Sequence, residues 1–173
     1  MSKVDKNKAV ISYILQCPQI VNSPLFFNAI KAEDESKQIV TVANDANINK
    51  PFVDGSVLKR YTFTIIVFKS VTYNRLVTDG LHNNENVDEL VDVQDIMDWV
   101  DEQNDARNYP DFGSDCEVED ISTTTNIPRT NGIDTTLTPA LIKYSITIQI
   151  NYLDKSKSIW NKQETQDDVD NDN

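Results

Sequence analysis

The strictest pattern in this sequence is an unbroken alternation of apolar and polar residues between positions 142 and 152. The apolar positions are Ile142, Tyr144, Ile146, Ile148, Ile150 and Tyr152. Because successive side chains of a β-strand point to opposite faces of a sheet, the alternation predicts a strand with one buried and one solvent-facing side. Such a strand would be about 37 Å long, at ~3.4 Å per residue. Most sheets of a domain this size have shorter strands, so part of the hairpin that contains this strand is expected to project from the body of the domain.

A second strand is predicted from Lys59 to Phe68, where β-branched and aromatic residues are concentrated. One face carries Tyr61, Phe63, Ile65 and Val67, and the other changes from Arg60, Thr62 and Thr64 to Ile66 and Phe68. This change predicts a strand that starts half-exposed and ends buried on both faces. A brief further strand is predicted from Ile39 to Val42.

A short amphipathic helix is predicted near the start of the chain. Asp5 is a suitable N-cap, and helically spaced apolar residues follow it, namely Val10, Ile11, Ile14 and Leu15. Pro18 is expected to end this helix, because proline lacks the N–H that a helix interior needs. A further short packed segment is expected around Phe26, Phe27 and Ile30.

A long helix is predicted from Glu85 to Asp105, with a core-facing stripe formed by Leu90, Val93, Met97 and Val100. The rest of its surface is acidic, with no base between Arg75 and Arg107. The acids are Glu85, Asp88, Glu89, Asp92, Asp95, Asp98, Asp101, Glu102 and Asp105. Like charges three or four positions apart in a helix cost ~0.2 to 0.5 kcal/mol per pair, so another benefit is expected to offset this cost.

Trp99 lies away from the centre of that stripe on a helical wheel of about 100 degrees per residue. It falls on the side of four acids, Asp88, Asp92, Asp95 and Glu102. Two interpretations remain open. An aromatic ring among carboxylates is a suitable anchor for a partner protein, which makes these five residues candidate interface residues. Alternatively, Trp99 widens the core-facing side of the helix.

The helix is followed by the turn "NYPDFG", which contains the Asp-Phe-Gly triplet of protein kinases. In kinases that aspartate acts beside a glycine-rich phosphate loop, and the four glycines of this chain are too widely spaced to form one. A structural turn is therefore predicted. Pro110 is expected to halt the helix and Gly113 to permit the chain reversal. Asp111 is expected to hydrogen-bond the turn's backbone, and Tyr109 and Phe112 to attach the turn to the sheet.

A hairpin is predicted downstream of this turn. Apolar and acidic residues alternate at positions 116–119 and predict its first strand. A threonine-rich stretch follows and contains Asn131-Gly132, the dipeptide best suited to a two-residue hairpin turn. A projecting arm is therefore expected around residues 121–140, with Thr130, Asn131 and Gly132 as candidate interface residues.

Length and composition bound the class of protein. The chain has 173 residues, of which 39% are hydrophobic, and this suits one domain over residues 1–160. Residues 161–173 are acidic with one apolar residue and are expected to be flexible. The formal net charge of -12 disfavours neutralisation of nucleic-acid phosphates. No signal peptide or membrane-spanning run is evident, so we expect a soluble protein made in the cytoplasm, without membrane contact.

Residues that carry chemistry are sparse in the sequence. His82 is the only histidine and lies in a polar stretch, where a solvated loop side chain is expected. Cys17 and Cys116 lack the CxxC spacing and are expected to be buried thiols. The acidic tail lacks calcium-loop spacing, and no pair of carboxylates stands out as catalytic. We therefore predict no catalytic residue, no cofactor and no metal site, and interpret the chain as an interaction protein.

The order of these segments resembles the tail terminator, or tail-completion, proteins of long-tailed bacteriophages, often labelled minor capsid proteins. The resemblance rests on the helix end "DWVDEQN", the turn "YPDFG" directly after it and the later strand "KYSITIQINYL", and it extends over roughly residues 51–153. It implies an α+β fold, with helices packed on one face of a small, mostly antiparallel sheet. The residues themselves add the projecting β-hairpin.

The resemblance also implies a place in the virion. Tail terminators form a ring, here expected to be a hexamer, at the head-proximal end of the tail. There the ring stops polymerisation of the tail tube protein and contacts head-completion proteins of the neck. DNA is expected to pass through the lumen without sequence-specific binding, because six copies at -12 each repel its phosphates.

The residues leave three other functions open. One is a different neck or head-tail joining protein. Another is a monomeric binding or inhibitor module whose acidic helix is a decoy for a basic partner, which predicts salt-dependent binding without self-association. The third is a hydrolase with an unrecognised carboxylate site, which predicts that an Asp or Glu replaced by its amide abolishes turnover.

Overall fold

The computed structural model describes residues 5–29, 36–41, 50–70, 85–138 and 140–159, with the backbone alone at 85–89. These ranges contain three helices and seven strands. In chain order they are α1 (Lys6–Ile14), α2 (Pro18–Val21), β1 (Leu25–Phe27), β2 (Lys37–Thr41), β3 (Lys50–Pro51), β4 (Val57–Ser70), α3 (Glu85–Asp105), β5 (Cys116–Thr123), β6 (Arg129–Asp134) and β7 (Leu141–Asp154). The predicted α+β class is confirmed.

All seven strands belong to one sheet with the order β1-β2-β4-β7-β5. The antiparallel strands β4 and β7 form its centre and pair from Val57↔Asp154 to Ser70↔Leu141. β3 pairs with the start of β4, and β6 with the start of β7. Among the described strands only β1 and β2 are parallel, so the sheet is mostly antiparallel, as predicted.

The two strands predicted from alternation are confirmed, and each has 14 residues. In β7 the even-numbered side chains from Tyr144 to Tyr152 are buried, and in β4 burial increases from Thr62 onward. Pairing accounts for the length of β7: β4 covers one of its edges completely, while β6 and β5 lie end to end along the other. The length of β7 therefore does not require a part of it to project beyond the sheet, contrary to the expectation.

The three helices pack on one face of the sheet. The core between them includes Val10, Ile14 and Ile20 of the first two helices, Val93, Met97 and Val100 of α3, and Ile65, Ile146 and Ile148 of the sheet. Adjacent strands align these sheet residues directly, as Ile65 pairs with Ile146. Burial of one apolar face under amphipathic helices is the main source of stability in such a layer.

Apart from Ile66 and Phe68 at the end of β4, the opposite face of the sheet is mostly polar, and its side chains bond to one another across strands. The Arg60 Nε donates to Asn151 Oδ1, and the Asn151 Nδ2 donates to the Asp120 carboxylate, each at 2.9 Å. The hydroxyls of Thr64 and Thr147 share a hydrogen bond at 3.0 Å. These cross-strand pairs support the register of the central strands.

α1 begins as predicted and ends earlier. Asp5 is its N-cap and accepts a hydrogen bond from the Asn7 backbone N–H at 3.0 Å. The helix ends at Ile14, so that Leu15 is its exposed C-cap. Pro18 does not end α1; it opens α2 at a first-turn position, where a missing N–H leaves no bond unmade.

The remaining short segments are strands. The packed segment expected at Phe26 and Phe27 is β1, which runs parallel to β2. The strand expected from Ile39 is β2, which starts two residues earlier, at Lys37. Ile30 and Val42 lie outside the described residues, as does the predicted flexible tail at 161–173.

α3 has the predicted bounds, but its buried face is rotated from the predicted stripe. Val93, Met97 and Val100 are buried, whereas Leu90 is exposed. Ile96 and Trp99 are buried instead. With these two included, the centre of the buried face moves around the helix and leaves Leu90 at its edge.

Candidate interaction surfaces

The outward side of α3 forms an acidic stripe. Its members recur at alternating intervals of four and three residues and are Val91, Asp95, Asp98, Glu102 and Asp105, all exposed apart from the half-buried Asp95. We call these five residues the outward stripe. From Leu90 to Asp105 the helix has six acids and no base. Among the described residues, the ion pair recorded for these acids joins Asp92 to Lys69 of β4 at 3.3 Å. The stripe itself therefore lacks charge compensation within the described part of the chain.

Trp99 belongs to the core, not to this surface. Its side chain is 8% exposed, and its ring lies 5.2 Å from that of Tyr13 in α1, measured between centroids. Of the two interpretations of Trp99, the structure therefore agrees with the one in which it widens the core-facing side of the helix. Of its candidate neighbours, Asp92 and Glu102 are exposed, and the Asp88 side chain lies outside the described residues.

The end of α3 is set by Arg107, so the expectation that Pro110 halts the helix is wrong. Arg107 adopts a left-handed backbone conformation with φ of 52°. The Asn108 N–H then donates to the Gln103 carbonyl at 2.9 Å, which closes the last turn. This bond is characteristic of a left-handed helix C-terminus. Pro110 follows three residues later as a buried residue of the turn.

The turn after the helix is structural, as predicted. Gly113 has φ of 90°, and its N–H donates to Asp111 Oδ1 at 2.8 Å. Phe112 is buried, with its ring edge-on to Tyr152 at 5.2 Å and to Tyr61 at 6.0 Å. The Asp111 carboxylate is thus occupied with the turn's own backbone, and Phe112 attaches the turn to the sheet.

Asn104 and Tyr109 join the end of α3 to the edge strand β5. The Ile121 N–H donates to Asn104 Oδ1 at 3.0 Å, and the Tyr109 hydroxyl donates to the Glu119 carbonyl at 3.1 Å. These bonds lie at a β-bulge where the register shifts between Val118 and Asp120. The sequence carried no signal for Asn104, because a polar residue in the last turn of a helix is usual.

The segment Asn131-Gly132 is not the hairpin turn. Gly132 has φ of 95°, but Asn131 does not adopt positive φ. The pairing of β6 with β7 shifts register between Thr130 and Ile133, so the dipeptide forms a β-bulge inside β6. The connection between β6 and β7 begins at Asp134, whose Oδ1 accepts from the Thr136 N–H and hydroxyl.

The candidate residues of β6 are nevertheless at the surface. Thr130, Asn131 and Gly132 are all exposed, at the edge of the sheet that β6 shares with β5. Asn131 Nδ2 also donates to Ser145 Oγ at 2.7 Å, which ties the bulge to β7. The predicted hairpin thus exists as β6 and β7, with a bulge at the dipeptide expected to form its turn.

A second exposed surface, which the sequence analysis missed, lies at the turn between β3 and β4. Here Phe52 is 43% exposed, and Val53 is fully exposed, at 106% of its reference area. The Gly55 N–H closes the turn on the Phe52 carbonyl at 3.1 Å, with φ of 87° at Gly55. We call residues 50–57 together with 155–159 the tip.

The two segments of the tip are fastened together by Asp54. Its carboxylate accepts from Ser56 and, at 3.0 Å, from the Ser158 hydroxyl, while its carbonyl accepts from the Ile159 N–H at 2.8 Å. The Asp54 pKa lies below its usual range, chiefly because of the hydrogen bond from the Ser56 side chain. A retrospective signal exists in the sequence: the turn pair Asp54-Gly55 directly follows two apolar residues.

The two cysteines differ in exposure. Cys17 is buried, as predicted, and burial raises the pKa of its thiol to about 11. Cys116 is only half-buried, contrary to the prediction, because it lies at the start of an edge strand. Burial also raises the Cys116 pKa, so both thiols are expected to be protonated at neutral pH.

Within the described ranges, no three His, Cys, Asp or Glu side chains are arranged to hold a metal ion. His82 lies outside those ranges. None of the described helices is both long and apolar enough to cross a membrane. No protein-family model matches the chain, and a search of curated proteins finds no significant match.

Proposed function

We propose that this chain is a structural virion protein that forms a ring, expected to be a hexamer, at the head-proximal end of a phage tail. The ring would end tail-tube polymerisation and join the tail to head-completion proteins of the neck. The proposal is supported by the resemblance of residues 51–153 to tail terminators and is compatible with the α+β fold of the described residues.

The outward stripe of α3 is the observation that carries an assembly role. The core needs only the opposite side of the helix, where Val93, Met97 and Val100 are buried. Repulsion among the acids destabilises the isolated chain by a few tenths of a kcal/mol per pair. Since the described residues offer little compensation, the benefit of the stripe is expected to come from contacts outside the chain, such as a basic partner.

The ring is tested by measuring the mass and the action of the purified protein. Native mass spectrometry and sedimentation should show a ring, or a monomer that becomes a ring when tail tubes are added. Tubes polymerised with the protein should be capped and shorter than those polymerised alone, as seen by electron microscopy. A protein that stays monomeric and leaves tube length unchanged would overturn the proposal.

Charge neutralisation tests the role of the stripe. Asp98→Asn with Glu102→Gln should weaken assembly while leaving the melting temperature equal or slightly higher, because like-charge repulsion is relieved. The matched control is Asp115→Asn with Glu119→Gln, which removes the same charge from exposed residues of another segment. Equal effects of the two double variants on assembly would show that net charge, and not the stripe, governs it.

The same stripe supports a second function, a monomeric module that binds a basic protein. That function predicts one-to-one binding which weakens steeply with salt, since exposed charges are screened over about 10 Å at 0.1 M ionic strength. It also predicts no self-association at any protein concentration, which separates it from the ring.

A further inference from the structure

We infer that the tip of one copy docks on the outward stripe of α3 in a second copy. This inference rests on the ring proposed above and assigns the two surfaces that would meet between neighbouring subunits. It is carried by the opposite charges of the two surfaces, by their exposed apolar residues and by the hydrogen bonds that hold the tip in shape.

The tip and the outward stripe are different parts of the molecule, one at the start of β4 and the other along the outer side of α3. The Lys69 to Asp92 ion pair places the first half of α3 beside the end of β4. The Ile121 to Asn104 bond places the last turn of α3 beside β5, so the stripe extends from one end of the sheet toward the other. When two different surfaces meet head to tail, the contact is heterologous and generates closed rings or filaments.

The charges of the two surfaces are complementary. The tip carries three lysines and one aspartate, in a chain whose net charge is -12. Lys59 is paired with Asp154 at 2.5 Å, and Lys155 is paired with Glu117. Among the described residues Lys50 and Lys157 have no ion-pair partner. The stripe of α3 presents the opposite charge, which favours this orientation over tip against tip or stripe against stripe.

Each surface also presents apolar side chains. Phe52 and Val53 are exposed at the tip, and Leu90 and Val91 are exposed at the start of the stripe, with Val91 54% exposed. Turns are usually built from polar residues and glycine, so a fully exposed valine beside a phenylalanine indicates a contact that the isolated chain lacks. Apolar residues flanked by charges match the general anatomy of a protein interface.

The tip is held in shape before any contact forms. Asp54 fastens the turn to Ser158, and a Cβ added at Gly55 would lie 2.6 Å from the Lys157 carbonyl oxygen, so the two segments are tightly apposed. Lys50 Nζ lies 5.9 Å from the centre of the Phe52 ring. A surface that is already ordered loses less conformational entropy on binding.

The first test replaces the most exposed apolar residue of the tip. Val53→Ser should raise the protein concentration at half-assembly about tenfold, the loss expected for one buried valine. Ile127→Ser is the matched control, because Ile127 is 70% exposed in the loop before β6. Both variants should keep the wild-type melting temperature, so that a difference between them reports assembly alone.

The second test is a charge exchange, read by sedimentation velocity at low and moderate salt. Lys50→Glu with Lys157→Glu should prevent assembly, and Asp98→Lys with Glu102→Lys should also prevent it. A chain with all four substitutions should assemble again, because each tip then meets a stripe of the opposite charge. Lys8→Glu with Arg129→Glu serves as the control for the tip variant, because it makes the same charge change at exposed sites outside both surfaces.

The outcomes separate this inference from the ring itself. Wild-type rings that persist in both double variants, or a fourfold variant that stays dissociated, would overturn the tip-to-stripe contact and leave the ring standing. A wild-type chain that is monomeric under all conditions, tail tubes included, would overturn both. Loss in each double variant with recovery in the fourfold variant supports the contact.

Discussion

Replacement of Trp99 by alanine separates the two roles that the sequence left open for this residue. In the structure the indole is 8% exposed, packs on the Tyr13 ring and lies in the same core as Val93 and Val100. Truncation removes the whole indole from a core that cannot close completely around the cavity. The expected loss of unfolding free energy is ~3 to 5 kcal/mol.

This loss is large enough to measure without ambiguity. In a chain of this length each kcal/mol lowers the melting temperature by roughly 2 to 4 °C, so Trp99→Ala should melt roughly 6 to 20 °C below the wild type. Urea unfolding followed by far-ultraviolet circular dichroism is the suitable assay, because it does not depend on the fluorescence of the residue that is removed.

The control is an exposed residue of the same helix, opposite the centre of its buried face. Val91→Ala truncates an exposed side chain of the outward stripe, and its unfolding free energy should change by less than about 0.5 kcal/mol. A Trp99→Ala protein that melts within 1 °C or so of the wild type but no longer assembles would refute the core assignment and restore the interpretation of Trp99 as a partner anchor.

Three further predictions concern single contacts. Gly55→Ala should destabilise more than Gly132→Ala in thermal melts: both glycines have positive φ, but only at Gly55 does the new Cβ meet backbone within 4 Å. Asn104→Ala should lower the free energy of unfolding by ~1 to 3 kcal/mol, because the Ile121 N–H loses its acceptor. Asp101→Ala, on the exposed side of the helix, should leave that free energy nearly unchanged. Burial alone would raise the Asp154 pKa, but hydrogen bonds from Lys59 and Ser156 lower it to about 2. The contribution of Asp154 to folding stability is therefore present above about pH 4 and lost as the pH falls toward 2. Asp154→Asn should make stability depend less on pH over that range.

The sequence predicted the elements whose pattern is local and long. β4, β7 and α3 each repeat one periodicity over ten residues or more, and only a buried face selects such a repeat. The orientation of α3 about its own axis was harder to predict from the sequence. On a helical wheel Leu90 lies nearer than Trp99 to the centre of the predicted stripe, and packing against α1 and the sheet decides that Trp99 is the buried one.

Turns whose form depends on distant pairing were predicted less well. Asn131-Gly132 supplies positive φ, yet a bulge and a hairpin turn both use it, and the pairing of β6 with β7 selects the bulge. Arg107 carries no sequence signal for the left-handed conformation that ends α3, because glycine or asparagine is usual there.

The two candidate surfaces also differ in how well the sequence predicts them. The acidic stripe could be found from sequence because one helix contains all of it. The tip as a whole could not, although its turn pair Asp54-Gly55 is readable, since it brings together segments about a hundred residues apart, as when Asp54 meets Ser158. Such a surface exists only after β4 and β7 have paired.

The edges of the sheet favour assembly through side-chain surfaces over strand addition. An unpaired strand edge exposes N–H and C=O groups that readily pair with another chain. On one side of the sheet the edge strand β1 has only three residues, and past its end the N–H of Thr41 in β2 donates to Asn28 Oδ1 at 2.9 Å, with Asn28 at φ of 48°. At β5, Asn104 and Tyr109 take the backbone groups beside a bulge, and β6 has a bulge of its own. Because these edges are capped or bent, contacts between copies are expected to use protruding side chains, and the tip and the outward stripe of α3 present them.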